Sequence, residues 1–516
     1  ELPGAKVNHR ILTLSDAQFG RTPVNEMFSW YGEAEGGGTC SQDFGTTLIN
    51  RWRDTKASYC HPTANSAAVA PNQEADGSLH SAIDCYLVHQ TRHHGDGDNL
   101  CHMRNVAVDL ALFADDTRTR SVVQEYVNTM HAKQPYIKFP KGFIQGDCQP
   151  DQQHWQEKNM PGWNADLTVG AFQSVPSAAS AQVCEEWVEQ PVLVTQRDTF
   201  ANFFHDSEDF FNVFIALAVL QWKPAQVQMF LTDLYPQGPF WDIWSKVFSQ
   251  GSQDTSAASG AMAAMTAWDL RQRFGKTPRG KKVCFRDLAI GIFGPAAPMT
   301  VASWDTPCSR TALVRAYSDY VIRGLGLQGR THYAAATPSD TVVVTYMARR
   351  PSKQWPEKKY CNSTHSFFDC ELWAKFGERR LGRMIRNDQV SISCLSEVVA
   401  ALKTLEGQSI GGARRIVVQD VDYNELTFEQ QIATDLATDV MIGPHGAGLM
   451  HNIFMRDRAA LIELFVDGSS VNRHFHNLAH WFGRRYSGLP SSNPIRIPDL
   501  LNSVKDAIRS IDVSTY

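Results

Sequence analysis

The chain has 516 residues, of which 43% are hydrophobic and 10% aromatic, with a formal charge of -5 and a pI near 6.4. Such a surface offers no electrostatic attraction to nucleic acid or to an anionic membrane, and both are excluded as expected partners. A single core stops growing near roughly 250–300 residues, so two or three domains are expected.

Residues 1–125 are rich in Gly, Ser, Asn and Asp and carry little periodic pattern, which predicts a loop-rich region stapled by disulfides. Of the eleven cysteines, seven precede residue 300, and many lie in polar surroundings, as in a protein that matures in an oxidising, secretory compartment. The odd count leaves at least one free thiol. The Asn362-Ser-Thr364 glycosylation sequon points to the same compartment. Cys60, His61, Cys85, His89, His93, His94, Cys101 and His102 are residues of the kind that ligate zinc. Their spacing matches no zinc template, however, so disulfides with surface histidines are the preferred reading. No apolar run reaches the roughly 18–20 residues of a membrane span, the longest candidate, 210–222, being interrupted by Asn212. The first residue is Glu1 rather than methionine, so a processed or truncated form is expected, with any upstream anchor or signal outside the sequence.

From Gln182 the pattern becomes regular. Pro191 to Thr195 reads as a buried strand, Asn202 to Trp222 as a helix with a polar start, Val227 to Asp233 as a strand and Val283 to Ile290 as another. Alternation of this kind predicts a parallel sheet covered by helices. A second block begins near Thr331. Thr341 to Met347 is a strand, Ser396 to Leu405 a helix and Arg415 to Gln419 a strand. Thr427 and Gln430 have the spacing of a capping box and open a helix through Leu436. Val440 to Ile442 is the next strand, followed by a glycine turn, a short helix from Ala447 to Met455 and a strand from Ala459 to Phe465. The expected organisation is therefore 1–125, a disulfide-stapled N-terminal region; 126–325, an α/β domain; 326–490, a Rossmann-like domain; and 491–516, a C-terminal helix able to cross back to the first domain.

The glycine turn, Gly443-Pro-His-Gly-Ala-Gly-Leu449, is the clearest candidate for a ligand site. Glycines let backbone approach a ligand closely, and the open N–H groups of a helix start attract anions, so Gly446, Ala447, Gly448 and Leu449 are candidate phosphate contacts with the His445 ring as a further donor. The spacing G-x-x-G-x-G is not the dinucleotide fingerprint and names no cofactor. Arg349 and Arg350 end a strand of the same block and could add two cations for a diphosphate; a solvated basic loop is the competing reading. Glu463 is a carboxylate inside an apolar strand, where it needs a partner: either a ligand diol or a structural hydrogen bond to backbone.

In the first block, His205-Asp-Ser-Glu-Asp209 is the densest titratable cluster, and its crowding suits a general base, although acids are also favoured at a helix start by the dipole. Three D-x-D-like pairs, Asp96 with Asp98, Asp420 with Asp422 and Asp206 with Glu208, carry little weight. A G-x-S-x-G turn, a Walker loop and H-E-x-x-H are all absent, which sets aside the chemistries they serve.

Ile442 to His451, with Glu463 downstream, resembles the G-x-H-G-A-G-L-T-H signature of glycosyltransferase family 61. Val183 to Pro191, Asn202 to His205 with Asp209, Val283 to Arg286, and Cys40, Cys85, Cys101 and Arg104-Asn105 are similar to the plant-type N-glycan core β-1,2-xylosyltransferase branch of that family. Pro444 and Met450 depart from the alanine and threonine of the signature, and 353–382 has the character of an insertion. The resemblance implies an α/β fold of GT-B type, with two facing Rossmann-like domains. It implies a Golgi enzyme anchored through a missing N-terminal segment, and inverting, metal-independent transfer of xylose from UDP-xylose to the core β-mannose of N-glycans. It also suggests roles: Arg349, Arg350, His445 and Gly446 to Leu449 on the diphosphate, Glu463 on the ribose, Asp209 as base with His205 as runner-up, and Glu185, Glu186 and Trp187 as acceptor contacts. The alternatives are a UDP-N-acetylglucosamine-dependent O-glycan transferase of the same family and a catalytically dead secreted sugar-binding protein.

Overall fold

The computed structural model describes residues 9–31, 40–62, 80–88, 98–129, 134–151, 165–176, 183–249, 264–276, 281–292, 294, 297–300, 305–330, 341–349, 367, 396–412, 415–457, 459–465, 471–490 and 492–511. Arg350, the Asn362 sequon, the insertion at 353–382 apart from Phe367, and Cys361, Cys370 and Cys394 lie outside the described residues.

The described residues form a mixed α/β structure with two sheets. The first holds eleven strands: β1 (Ala57–Pro62), β2 (Ala82–Val88), β3 (Asp98–Val108), β4 (Ile144–Gly146), β5 (Cys148–Pro150), β6 (Phe172–Ser174), β7 (Cys184–Val188), β8 (Val192–Thr195), β9 (Gln228–Leu231), β10 (Ala264–Met265) and β11 (Lys282–Ile290). Its main path runs β10-β9-β8-β11-β3-β2-β1-β5. The expected parallel unit is present as β8, β9, β10 and β11, with β7 also parallel to β11. The expectation of a loop-rich region over 1–125 is corrected, because β1, β2 and β3 extend this sheet antiparallel from β11. Their buried positions include Cys60, Cys85 and Cys101, which signal disulfides rather than strand in a sequence.

Four disulfides join Cys40 to Cys308, Cys60 to Cys148, Cys85 to Cys101 and Cys184 to Cys284. The cysteines of the weighed zinc cluster are therefore used in cross-links, which fits an oxidising, secretory-pathway lumen. Among the described residues no helix is long and apolar enough to cross a membrane.

The second sheet comprises β12 (Thr341–Met347), β13 (Arg415–Val421), β14 (Val440–Pro444), β15 (Ala460–Leu464) and β16 (Arg485–Leu489). All its pairings are parallel, in the order β13-β12-β14-β15-β16. Strands buried on both faces need continuous apolar runs, which Val440 to Ile442 and Ala460 to Ile462 supply. Capping set the helices as expected: Thr427 and Gln430 form the capping box of Phe428–Leu436, and the Ser396 side chain caps Glu397–Lys403. The C-terminal helix Ile497–Ser510 packs Leu500, Val504, Ala507 and Ile508 into the core of the second sheet, not against the first.

A core cluster spans the two halves, joining helix Phe203–Leu220 and helix Ala312–Gly324 to the 3-10 helix Ala447–Phe454. Phe203, the first residue of its helix, lies 4.5 Å from the His451 ring and 5.2 Å from Phe428. Ser318 Oγ donates to the Ile453 carbonyl at 2.8 Å.

Candidate active site

In a parallel sheet of order 2-1-3-4-5, the connections leave β12 and β14 in opposite directions and open a crevice at their carboxyl ends. Tyr346 is in register with Ile442, so Arg349 and His445 both leave the sheet at that crevice. Arg349 is half-buried there. The glycine turn follows β14 directly. Gly446 has φ 152°, a conformation that a Cβ disfavours, and a Cβ on Gly448 would stand 2.6 Å from Met347 Sδ at the end of β12. The first bond of the turn is Leu449 N–H to the Gly446 carbonyl at 2.9 Å, so the N–H groups of Ala447 and Gly448 precede it at the open helix start. Both residues are half-exposed.

One donor expectation changes in detail. The Leu449 N–H is used within the turn and its side chain is buried at 0% exposure, so Leu449 shapes the turn from below. The backbone N–H of His445 donates to Leu464 at 3.0 Å, leaving only its ring for a ligand.

Glu463 is fully buried beneath that ring, opposite Gly443 across the strand pair. One oxygen meets His445 Nδ1 at 2.5 Å and the other accepts from the Tyr486 hydroxyl at 2.7 Å. Burial and the adjacent Glu463 charge push the Tyr486 hydroxyl well above its ordinary pKa, keeping it a donor. Both carboxylate oxygens thus have side-chain partners within the protein, not the backbone hydrogen bond of the competing reading. Below the turn, His451 Nδ1 meets Asp435 at 2.6 Å, and Asp435 accepts from the Tyr423 hydroxyl at 2.5 Å. This pair anchors the 3-10 helix to helix Phe428–Leu436.

The acid cluster lies at the start of helix Phe203–Leu220, beyond the carboxyl ends of β8 and β11. The Asn202 side chain caps the helix. Asp209 is 0% exposed; one oxygen accepts the Asp198 N–H at 2.9 Å and the other has no hydrogen-bond partner among the described residues. Burial, reinforced by the Asp198 and Asp206 charges, pushes its carboxyl well above the usual range. Asp206, also buried, is pushed up to about 7 by burial. His205 is 40% exposed, and its Nδ1 lies 3.0 Å from Asp198 and 3.1 Å from Glu208. Burial alone would lower its pKa, but hydrogen bonds to these two acids raise it to about 10, so it stands as an imidazolium at neutral pH and has no lone pair for a proton. Burial pushes Glu208 up, against His205 and Thr300. Asp198, missed in the sequence, is held below the ordinary range: burial pushes it up, but the hydrogen bond and charge of His205 and the bond from Gln134 together outweigh it. Asp198, His205 and Glu208 present ligand-type atoms within 4.8 Å of one another. A proton on His205 Nδ1 bonds both carboxylates at these distances, which accounts for their spacing.

The two clusters face each other across aromatic rings. Phe204 lies 5.4 Å from His205 and 6.0 Å from Phe475, and Phe475 lies 5.5 Å from His445. Glu185, Glu186 and Trp187 are not brought to this crevice. They sit on β7 beside the beginning of β11, where Cys184 pairs with Lys282, about 25 Å along the strands from its end at Ile290. Glu186 there bonds Arg273 at 2.7 Å, and the Arg286 guanidinium lies 3.9 Å over the Trp187 ring.

A parallel α/β unit with a glycine turn, an imidazole and an arginine at its switch point is an arrangement that can receive an anion. Residues 311–462, which include β12, β13, β14 and most of β15, match the family model Glycosyltransferase 61. Over 318 residues it is 26% identical to the EGF domain-specific O-linked N-acetylglucosamine transferase of Drosophila melanogaster, covering 59% of this chain and 46% of that protein. The Bos taurus protein of the same name is 26% identical over 376 residues, 70% of this chain and 58% of that one. The Mus musculus protein is 28% identical over 358 residues, 66% and 54%. The chain spans about half the length of the curated relatives it matches.

Proposed function

We propose that the chain is a glycosyltransferase that moves a sugar from a UDP-sugar to a hydroxyl group of a glycoprotein in the secretory-pathway lumen, with the Golgi as the expected station. The observation that supports this most is the glycine turn at the β12/β14 switch point, inside the stretch that matches the glycosyltransferase model. In this reading the N–H groups of Ala447 and Gly448, the His445 ring and Arg349, with Arg350 beside it, hold the diphosphate. Glu463 acts as a positioning residue through His445 and Tyr486. The negative charge that develops on the leaving diphosphate meets fixed N–H dipoles and cations, so no metal is required. The acceptor lies against the head of helix Phe203–Leu220, whose carboxyl cluster removes its proton. Two such halves facing one crevice suit a GT-B arrangement with direct, inverting displacement.

Each of two donor readings has its own support. The relatives are named for transfer of N-acetylglucosamine in O-linkage to EGF domains, which favours UDP-N-acetylglucosamine and a protein hydroxyl. The residues of 183–191, 202–205 with Asp209, and 283–286 resemble the xylosyltransferase branch, which favours UDP-xylose and the N-glycan core mannose. A donor screen decides between them: both UDP-sugars are offered with a folded EGF domain and with a defined N-glycan, and products are weighed by mass spectrometry. A pentose on the glycan establishes the xylosyl reading and an N-acetylhexosamine on the EGF domain the other. Glycan binding without UDP affinity or transfer would sink both in favour of a sugar-binding protein. Turnover that survives EDTA supports metal independence, and dependence on added manganese counts against it.

A further inference from the structure

We propose that Asp198 is the group that takes the acceptor's proton, and that Asp209 is the residue that positions it. This rests on the glycosyl-transfer reading above. Four main-chain groups of the segment after β8 are fixed by side chains. The Arg197 N–H donates to Asp233 at 2.9 Å and the Arg197 carbonyl accepts from the Tyr136 hydroxyl at 2.8 Å. The Asp198 N–H donates to Asp209 at 2.9 Å and the Asp198 carbonyl accepts from the Tyr235 hydroxyl at 3.0 Å. The Arg197 side chain is turned inward at 0% exposure. It binds Asp233 through Nη2 at 2.8 Å and Nε at 3.2 Å, and donates to the carbonyls of Tyr235 and Pro236. So tight an anchor fixes where the Asp198 carboxylate stands.

Among the acids of the cluster, Asp206, Glu208 and Asp209 are at most 1% exposed, whereas the Asp198 side chain is 11% exposed beside the 40% exposed His205. Gln134 Nε2 donates to one Asp198 oxygen at 2.7 Å and His205 Nδ1 lies 3.0 Å from the other. Each carboxylate oxygen accepts two hydrogen bonds, so a lone pair stays open for an acceptor hydroxyl. Asp209 cannot meet that hydroxyl, because it is sealed under the segment and a Cβ on Gly294 would lie 2.5 Å from its Oδ1. In the step, the acceptor oxygen bonds to the anomeric carbon and the bond from that carbon to the phosphate oxygen breaks. The electron pair leaves with the diphosphate and the hydroxyl proton passes to Asp198. The His205 imidazolium stays between Asp198 and Glu208 and fixes the carboxylate's direction.

The test compares Asp198→Asn, Asp209→Asn and Asp209→Leu with the native chain, with UDP binding and thermal unfolding measured beside turnover. Asp198→Asn is expected to lower kcat by about 100-fold or more while UDP affinity stays within about twofold, as for loss of a general base. Asp209→Leu strands the Asp198 N–H and lowers kcat by about tenfold or more, whereas Asp209→Asn, whose amide oxygen can accept that N–H in place of the carboxyl oxygen, restores turnover to within about threefold and keeps the native pH profile. Asp209→Asn as inactive as Asp198→Asn, or Asp198→Asn with near-native turnover, overturns the assignment. A native chain that transfers from no UDP-sugar overturns the glycosyl-transfer reading instead.

Discussion

If Glu463 acts only through His445, its effect on nucleotide binding should vanish once His445 is gone. Its two oxygens hold His445 Nδ1 at 2.5 Å and the Tyr486 hydroxyl at 2.7 Å in a site with no solvent access. Glu463→Gln keeps the shape and removes the charge. A charge-assisted hydrogen bond is roughly twice as strong as a neutral one, whose net worth is about 1 kcal/mol, so the imidazole loses about 1–1.5 kcal/mol of support. Passed to the ligand through the ring, that is about a tenfold rise in the Kd for UDP. His445→Asn should weaken UDP at least as much. The double variant should then be no weaker than His445→Asn alone, because the second change removes a contact that no longer exists. Isothermal titration with UDP on the native chain and the three variants closes the cycle, with Tyr486→Phe as a control for the other bond. Losses that simply add would refute the reasoning and place Glu463 directly on the nucleotide.

Further outcomes follow from the same geometry. Asp206 is pushed up to about 7 by burial, while Asp319 and Asp457, against the burial that would lower it, push His9 up to about 9. Both groups bind their proton more tightly folded than unfolded, as does His205, so their stability is fully present below the unfolded pKa and lost as pH rises through the folded value. Urea midpoints should therefore fall between about pH 5.5 and pH 9, with His9 alone contributing up to about 1.4 kcal/mol per pH unit above about pH 6.5, and a flat profile would contradict this. Replacing Cys184 and Cys284 together by serine should lower stability by about 2–4 kcal/mol, since their bridge closes a loop across 100 residues; an unchanged urea midpoint would count against it. Gly443→Ala puts a Cβ 2.9 Å from Leu449 Cδ2 and 3.4 Å from Met347 Cβ, and should cost about 1–3 kcal/mol in thermal unfolding. Native-like stability would mean that the turn has room it does not show.

The second sheet was readable in the sequence because fully buried parallel strands leave unbroken runs, as in Thr341 to Met347 and Ala460 to Leu464, and because Thr427 and Gln430 mark a helix start. The N-terminal strands were not, since Ala57–Pro62 and Asp98–Val108 interrupt their apolar residues with cysteine, histidine and other polar residues and take their stability from antiparallel pairing and cross-links. Short β16, with Gly488 in it, escaped for a similar reason. At the site, Glu463 announced that it needed a partner, but only the register of β14 against β15 shows that His445 lies beside it. Asp198 gave a signal that went unused: Gln196-Arg-Asp198 follows a buried strand at its carboxyl end, where open sheets present their functional groups. Asp209 drew attention by its crowded neighbours, whereas burial, which decides what a carboxyl can touch, is a property of the fold.

The claim that the turn at the switch point holds a diphosphate is tested most directly by calorimetric titration of UDP and of uridine into the native chain and into Gly446→Ala. The native chain should bind UDP at least about tenfold more tightly than uridine, and the variant, whose side chain strains the φ of 152° and tilts the Ala447 and Gly448 N–H groups, should lose that difference. Equal affinity of the native chain for UDP and uridine, or a preference for UDP undisturbed in the variant, would contradict it.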